Sequence, residues 1–421
     1  MKTIFSIALL FLFACNSPAQ PSQNIAGEVY SPKSIESLNN EILKWVDSGY
    51  INGAVGLVIK DGKVLYYNAE GYNDLVTKTP LPKDDIFRIA SQTKAITTVA
   101  AMMLFEEGKF LLDDPVSKYI PSFANEKVIK DFNEKDTTYT TVPARRQVTI
   151  HDILTHTSGI GYAQIGSKTA IMLYAKAGLT PGLDNNRDNL QDAMQRLGEL
   201  PLLFQPGEQW MYGLNTDLLG ALVEIWSGTS LDKFFRERIF KPLQMHDTYF
   251  NVPENKAGRL VNLFVETKTG ELVKADELMN GFDVNYPLRE KSYFSGGGGL
   301  SSTILDYSRF LQMLLNEGEY NGKRLLKKET VKMMTSNQIG DLTVDGNQFG
   351  FGFLIESNKS NNDPASIGTY GWGGAFGTSY WVDPKQKMII QFYRQIWNTS
   401  YRSLPQKFRI MVYQALNDTS E

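Results

Sequence analysis

The chain has one cysteine, Cys15, among 421 residues, so no internal disulfide can form and packing alone must hold the fold. No apolar run reaches the ~18–20 residues that a membrane-spanning helix needs. The formal net charge is −3 and the pI about 5.8, which leaves no basic surplus to neutralise a phosphate backbone. Nucleic acid is therefore not an expected partner. Histidine is scarce: His151, His156 and His246 are the only three, and the Gly-x-Ser-x-Gly elbow is absent. That argues against a Ser-His-Asp hydrolase. No His/Asp/Glu group has metal-ligand spacing, and Gly296-Gly297-Gly298-Gly299 is not followed by the Gly-Lys-Ser/Thr of a phosphate loop. Neither a metal nor a cofactor is expected, and the glycine run reads as a close-packing turn near a cleft. There is no internal repeat and no low-complexity tract.

What is present is an ordinary globular composition, 42% hydrophobic and 21% charged. Residues 1–15 stand apart, with Lys2, an apolar run from Ile4 to Ala14, then Cys15. This is the pattern of an export signal. Leu12-Phe13-Ala14-Cys15 resembles a bacterial lipobox, which implies a lipid-anchored Cys15 and a protein of the cell envelope, facing the periplasm. Simple secretion with cleavage after Ala19 is the alternative. Residues 16–33 read as a tether, rich in Ser, Pro and Gln, and residues 34–418 as one folded domain.

Apolar periodicity predicts a helix over 34–50, through Ile35, Leu38, Ile42, Leu43, Trp45 and Val46. Strands over 53–60 and 63–72 follow, joined by the hairpin signal Asp61-Gly62. From 113 to about 286 the chain reads as helix and loop, punctuated by Pro and Gly. Amphipathic helices over 305–316 and 325–335 come next. Strands over 376–382 and 388–394 flank Asp383-Pro384-Lys385, and a helix over 404–416 ends the domain. The expected fold class is α/β: an antiparallel sheet built from the N- and C-terminal segments, flanked by helices, with an inserted, mostly helical lobe.

The organising stretch is Ile89-Ala90-Ser91-Gln92-Thr93-Lys94 and the helix it opens. Residues 95–105 carry no charge on any face, which marks a buried helix, and Gly108 is a plausible C′ stop. Ser91 taken alone is an N-cap. Lys94, one turn on, is harder to place, because a cation in the first turn opposes the helix dipole by a few tenths to about 1 kcal/mol. A capping box would put Glu or Gln there. Positions i and i+3 share a face, with Cβ atoms about 5–6 Å apart. An amine kept from water can act as a base near neutral pH, and a serine within its reach becomes a nucleophile. A rule broken inside an otherwise consistent helix marks function. The other Ser-x-x-Lys, Ser230-Leu231-Asp232-Lys233, opens a charged helix and reads as a surface N-cap.

Such a pair needs a proton carrier. Tyr212 is the candidate, in the turn-rich loop from Pro206 that leads to a helix over 216–226, since a phenol and an amine side by side can share one mobile proton. Asn215 reads as the N-cap of that helix. His156, in Thr155-His156-Thr157-Ser158-Gly159, reads as a loop-ordering hydrogen-bonder.

Together, Ser91-Gln92-Thr93-Lys94, the Tyr212 loop and Gly371-Trp372-Gly373-Gly374 stand in the order seen in the serine β-lactamase-like family. That family joins class C β-lactamases, D-alanyl-D-alanine carboxypeptidases and family VIII carboxylesterases. The stretch Asp152 to Gly159, Pro206-Gly207-Glu208, Leu218-Leu219-Gly220 and residues 296–302 extend the resemblance over roughly 35–416. It implies a two-lobed α/β fold with the site between sheet and helical lobe. It also implies Ser91 as nucleophile, Lys94 and Tyr212 as the base/acid pair, and an oxyanion hole from the N–H groups of Ser91 and Ala375, beside Trp372, Gly373 and Gly374.

The family's Tyr-x-Asn stands here as Tyr212-Gly213-Leu214, which resembles many family VIII esterases. Its Lys-Thr-Gly or His-x-Gly stands as Trp372-Gly373-Gly374, and an uncharged indole cannot pair with a substrate carboxylate. The expectation is a serine hydrolase acting through an acyl-enzyme on small neutral esters. A β-lactamase or D-alanyl-D-alanine carboxypeptidase acting on an amide is one alternative, and a non-catalytic binding lipoprotein another. The literal Tyr66-Tyr67-Asn68 precedes the nucleophile, and Lys268-Thr269-Gly270 reads as a surface hairpin turn, so neither is taken as the motif.

Overall fold

A computed structural model describes residues 33–417 except 181, 185–187, 277, 280–281 and 359–362. Cys15 and nearly all of the tether lie outside the described residues. Helix α1 (Lys33–Asp47) turns Leu38, Ile42 and Trp45 inward. Strands β1 (Gly53–Lys60) and β2 (Lys63–Asp74) form the expected hairpin. Asp61 and Gly62 both take positive φ, 50° and 73°, as a two-residue turn matching the strand twist requires.

The C-terminal end of the chain returns to this hairpin. β8 (Met388–Tyr393) pairs antiparallel with β1, from Val55↔Tyr393 to Lys60↔Met388. With β3 (Thr79–Pro80), β4 (Gln348–Phe349), β5 (Leu354–Ile355), β6 (Tyr370–Gly373) and β7 (Thr378–Asp383), the sheet has eight antiparallel strands in the order β4-β5-β6-β7-β8-β1-β2-β3. The sheet is thus built from both ends of the domain, with the mostly helical lobe between them.

Strand alternation gives the sheet two apolar faces. Val55, Leu57 and Ile59 of β1 face the core shared with α2 (Thr93–Glu106), α3 (Asn215–Ser227) and α4 (Ile304–Leu315). Ala54 and Val58 face α1 and α5 (Leu404–Asn417). Gly56 on this second face has no substitute: a Cβ there would lie 2.7 Å from the rings of Phe408 and Tyr66. Residues 93–104 of α2 are all buried.

Three local readings change. The 325–335 helix is only Lys328–Met334, because the N–H groups of Leu325 and Leu326 turn back to Gly318 O and close a small hairpin. An antiparallel pair, Lys127–Phe132 with Tyr139–Pro143, lies in the stretch read as helix and loop. Its Tyr-Thr-Thr-Val run carried the β signal. Residues 376–377 are turn rather than strand, and Trp372-Gly373 ends a further strand, β6. Lys268 does sit in the turn between Phe264–Glu266 and Leu272–Lys274.

Candidate active site

Ser91 sits on a single 3-10 turn, Ala90–Gln92, that runs directly into α2. It is not an N-cap, as its residue type alone had implied: the capping positions are Ile89 and Gln92, and neither turn has a side-chain cap. Ala90 just before it has φ +43°, a left-handed conformation that costs an L-residue about 1 kcal/mol or more. Neighbours hold the turn in place. Thr93 Oγ1 donates to Ala90 O at 2.6 Å, Tyr307 Oη to Gln92 O at 2.9 Å, and Tyr393 Oη to Gln92 Oε1 at 2.6 Å. The segment after the glycine run adds Leu300 N–H to Thr93 Oγ1, 3.1 Å.

Lys94 is 3% exposed. Its Nζ donates to Gly297 O at 2.6 Å and approaches Ser91 Oγ at 3.5 Å. It also lies 4.5 Å from the centre of the Tyr212 ring and 5.4 Å from that of Tyr162. Two aromatic faces and a carbonyl thus compensate a cation placed against the helix dipole.

A further group went unnoticed in the sequence. Asp217, in the first turn of α3, is wholly buried; among the described residues no group reaches full hydrogen-bond geometry with its carboxylate, but the Ser295 and Tyr293 hydroxyls and the Gly297 N–H lie close enough to act on it. A Cβ on Gly297 would overlap Asp217 Oδ2 and lie 3.4 Å from Lys94 Nζ, so this glycine is where the two side chains converge. Burial pushes the Asp217 carboxyl up to about 6, while the Ser295 hydroxyl and the Lys94 charge pull it down. An acid in a first turn is favourable in any helix. That bland reading hid it.

Tyr212 is carried on a loop pinned by Met211 N–H to His156 O and Leu214 N–H to Gly161 O, both 2.9 Å. Gly213 passes so close to Ile160 O that no Cβ fits. Asn215 is not the N-cap; that position is Leu214. Its buried amide instead meets His156 Nδ1 at 3.1 Å and accepts from Ser158 Oγ at 2.5 Å, tying the 156–160 loop to α3. His156 is buried at left-handed φ 60°, 5.2 Å from the Tyr212 ring. Burial, then the Lys94 charge, push its imidazole down to about 3, so it is neutral at neutral pH. Tyr212 Oη accepts from Trp372 Nε1 at 3.4 Å. The decoy Ser230 accepts from Lys233 N–H as a helix N-cap.

After Trp372 and Gly373, the chain turns tightly at residues 374–377. Gly374 N–H donates to Thr378 O at 2.7 Å and Gly377 N–H to Gly374 O at 2.9 Å. A Cβ on Gly374 would overlap Ile89 O, so the turn packs directly on the backbone that leads to Ser91. Ser91, Tyr212, Trp372, Gly373, Gly374 and Ala375 all line one cavity of about 460 Å³, with Lys94 beneath them. The N–H groups of Ser91 and Ala375 donate to no acceptor among the described residues. Among the described residues, no cation is among the lining side chains.

The Beta-lactamase family model matches residues 38–404. Lovastatin esterase of Penicillium rubens is 33% identical over 336 residues, 78% of this chain and 80% of that one. Esterase EstB of Burkholderia gladioli is 28% identical over 383 residues, 86% and 90% of the two chains. Among solved structures, EstCE1, described as a hydrolase with promiscuous acyltransferase activity, superposes with a TM-score of 0.77 at 25% identity, covering 90% of this chain and 98% of its own. With its fold, its cavity-lining Ser91 beside a buried Lys94, and these relatives, the chain belongs to the β-lactamase family and is a serine hydrolase.

Proposed function

We propose that the protein is a carboxylesterase-type hydrolase whose acyl-enzyme forms on Ser91. Ser91 Oγ attacks the ester carbonyl and its proton passes to Lys94, which enters this step as the neutral amine and leaves it as the ammonium. Gly297 O and the Asp217 carboxylate hold the resulting ammonium, with the Tyr212 ring over it. The Ser91 and Ala375 N–H groups take the oxyanion, each such donor being worth about 10²–10³ in rate. Tyr212 Oη protonates the leaving alcohol and then helps a water to deacylate the enzyme. The observation that carries this reading is the buried Lys94 amine 3.5 Å from Ser91 Oγ, beneath a cavity whose walls hold no cation for a substrate carboxylate. Penicillins and peptidoglycan stems carry that carboxylate and are disfavoured.

The test is turnover of p-nitrophenyl butyrate beside nitrocefin. Ester hydrolysis lost in Ser91→Ala, with little nitrocefin cleavage in the wild type, supports the reading. Ester turnover that survives Ser91→Ala overturns it. We also propose that Cys15 carries a lipid anchor at the cell envelope, supported by the lipobox-like Leu12-Phe13-Ala14-Cys15. Membrane fractionation of Cys15→Ser tests this, and a variant still retained with the membrane contradicts it.

A further inference from the structure

The cavity does not stop at the nucleophile. β5 pairs with β6 only at Tyr370 and Gly371, so the edge of β6 is open from Trp372 onward and the cavity wraps around it. Strand alternation sorts the walls. Trp372 faces Tyr212 and the helical lobe. Gly371 and Gly373, with their partners Trp381 and Ser379, face the opposite side of the sheet, toward α5. Leu354, opposite Gly371 in the ladder, packs instead with Phe349 on the side of Trp372, and Glu356, two residues on, also lines the cavity. The glycines keep the passage open: a Cβ at Gly373 would meet nothing closer than 3.4 Å.

Among the described residues, Glu356 is the only carboxylate on the cavity wall. Arg409 of α5, 1% exposed, donates to Glu356 Oε1 and also to Asp363 Oδ2, and its guanidinium lies 5.0 Å from the centre of the Trp381 ring. Asp383, buried behind them, accepts from Tyr413 Oη at 2.7 Å. Two carboxylates, Glu356 and Asp363, therefore share one guanidinium, which leaves a net negative charge at this part of the cavity. Burial raises the Glu356 carboxyl above its ordinary range, as do Asp363 and Asp383, while Arg409 lowers it.

We propose that this outer compartment binds an ammonium group, so that the preferred substrates are esters with a cation on a short tether. The proposal rests on the Ser91 reading and names the substrate class for the same site. A carboxylate beside an indole is the combination that holds alkylammonium groups, and here the two sit at the end of a channel that begins at Ser91. An uncharged ester end lies against Trp372, and the cation lies beyond Gly373 against Trp381 and Glu356.

The experiment compares acetylcholine with its uncharged isostere, 3,3-dimethylbutyl acetate, by kcat/KM. The wild type is expected to favour the cationic ester tenfold or more. Glu356→Gln is expected to bring the ratio to within about twofold of one. Gly373→Val, which fills the passage without touching Arg409, is expected to do the same. Equal rates in the wild type, or an unchanged ratio in both variants, overturns the proposal. Tetramethylammonium binding, followed by tryptophan fluorescence, reads the compartment without catalysis. Saturable binding weakened at least fivefold in both variants supports the proposal, and no binding to the wild type overturns it. Ester turnover without charge preference condemns this proposal alone. Loss of the hydrolase reading instead shows as turnover of neither ester.

Discussion

Lys94 Nζ lies 4.5 Å from the centre of the Tyr212 ring, over its face and not hydrogen-bonded to its hydroxyl. In the proposed mechanism the phenol therefore has two separable roles. Its ring screens the amine, and its Oη, held by Trp372 Nε1, points a proton donor into the cavity. Tyr212→Phe keeps the first role and deletes the second. It should lower kcat by about 10²–10⁴, the usual worth of general acid–base catalysis, with KM changed only a few-fold. Steady-state kinetics on a p-nitrophenyl ester check this, and an unchanged kcat would reduce Tyr212 to packing.

Asp217→Asn removes the charge opposite Lys94 while keeping the shape. Asp217 has a raised pKa of about 6, so it is ionised above that pH and neutral below it. The wild type should exceed the variant in kcat/KM by roughly tenfold, or about 1.4 kcal/mol, above pH 6. The gap should close toward pH 5, where the wild type itself becomes neutral at this position. A gap independent of pH would mean that the carboxylate acts through shape alone.

Gly374→Ala tests the contact between the 374–377 turn and the strained turn at Ala90. The added Cβ meets backbone at Ile89 O, which cannot move aside as a flexible side chain could. Overpacking of this kind costs about 1–3 kcal/mol, measurable by denaturant unfolding. Displacing the Ala375 donor should also cut the rate by about 10²–10³.

His156 sets an acid limit on stability. Its folded-state pKa of about 3 is depressed below the ordinary value of 6.5. Its contribution is therefore complete above pH 6.5 and is lost progressively as the pH falls toward 3. Asp217 works in the opposite sense, since the cost of burying its charge is relieved below about 6. In His156→Asn, which tolerates the left-handed φ, the fall in Tm between pH 6.5 and 4 should be smaller than in the wild type. An identical fall would contradict the assignment.

Much of this was legible in the chain before any coordinates. The Asp61-Gly62 hairpin, the uncharged α2 and the return of the C-terminal strands all follow from local pattern, because turn chemistry and apolar periodicity are local properties. Lys94 was visible because it violates a local rule. Asp217 was not, since it obeys one, and its importance comes from a glycine 80 residues away in the chain. Asn215 looked like a cap because Asn before a helix usually is one, yet its amide is spent on His156 and Ser158. Glu356 and Trp381 share a cavity with Ser91 only through strand pairing between β5, β6 and β7, and no spacing in the sequence records that.

The most direct measurement is to quench the protein in acid during turnover of a p-nitrophenyl ester and weigh it intact. One acyl group added, and mapped by peptide sequencing to Ser91, is the expected result, with no adduct in Ser91→Ala. Turnover with no adduct, or an adduct on any other residue, contradicts the account.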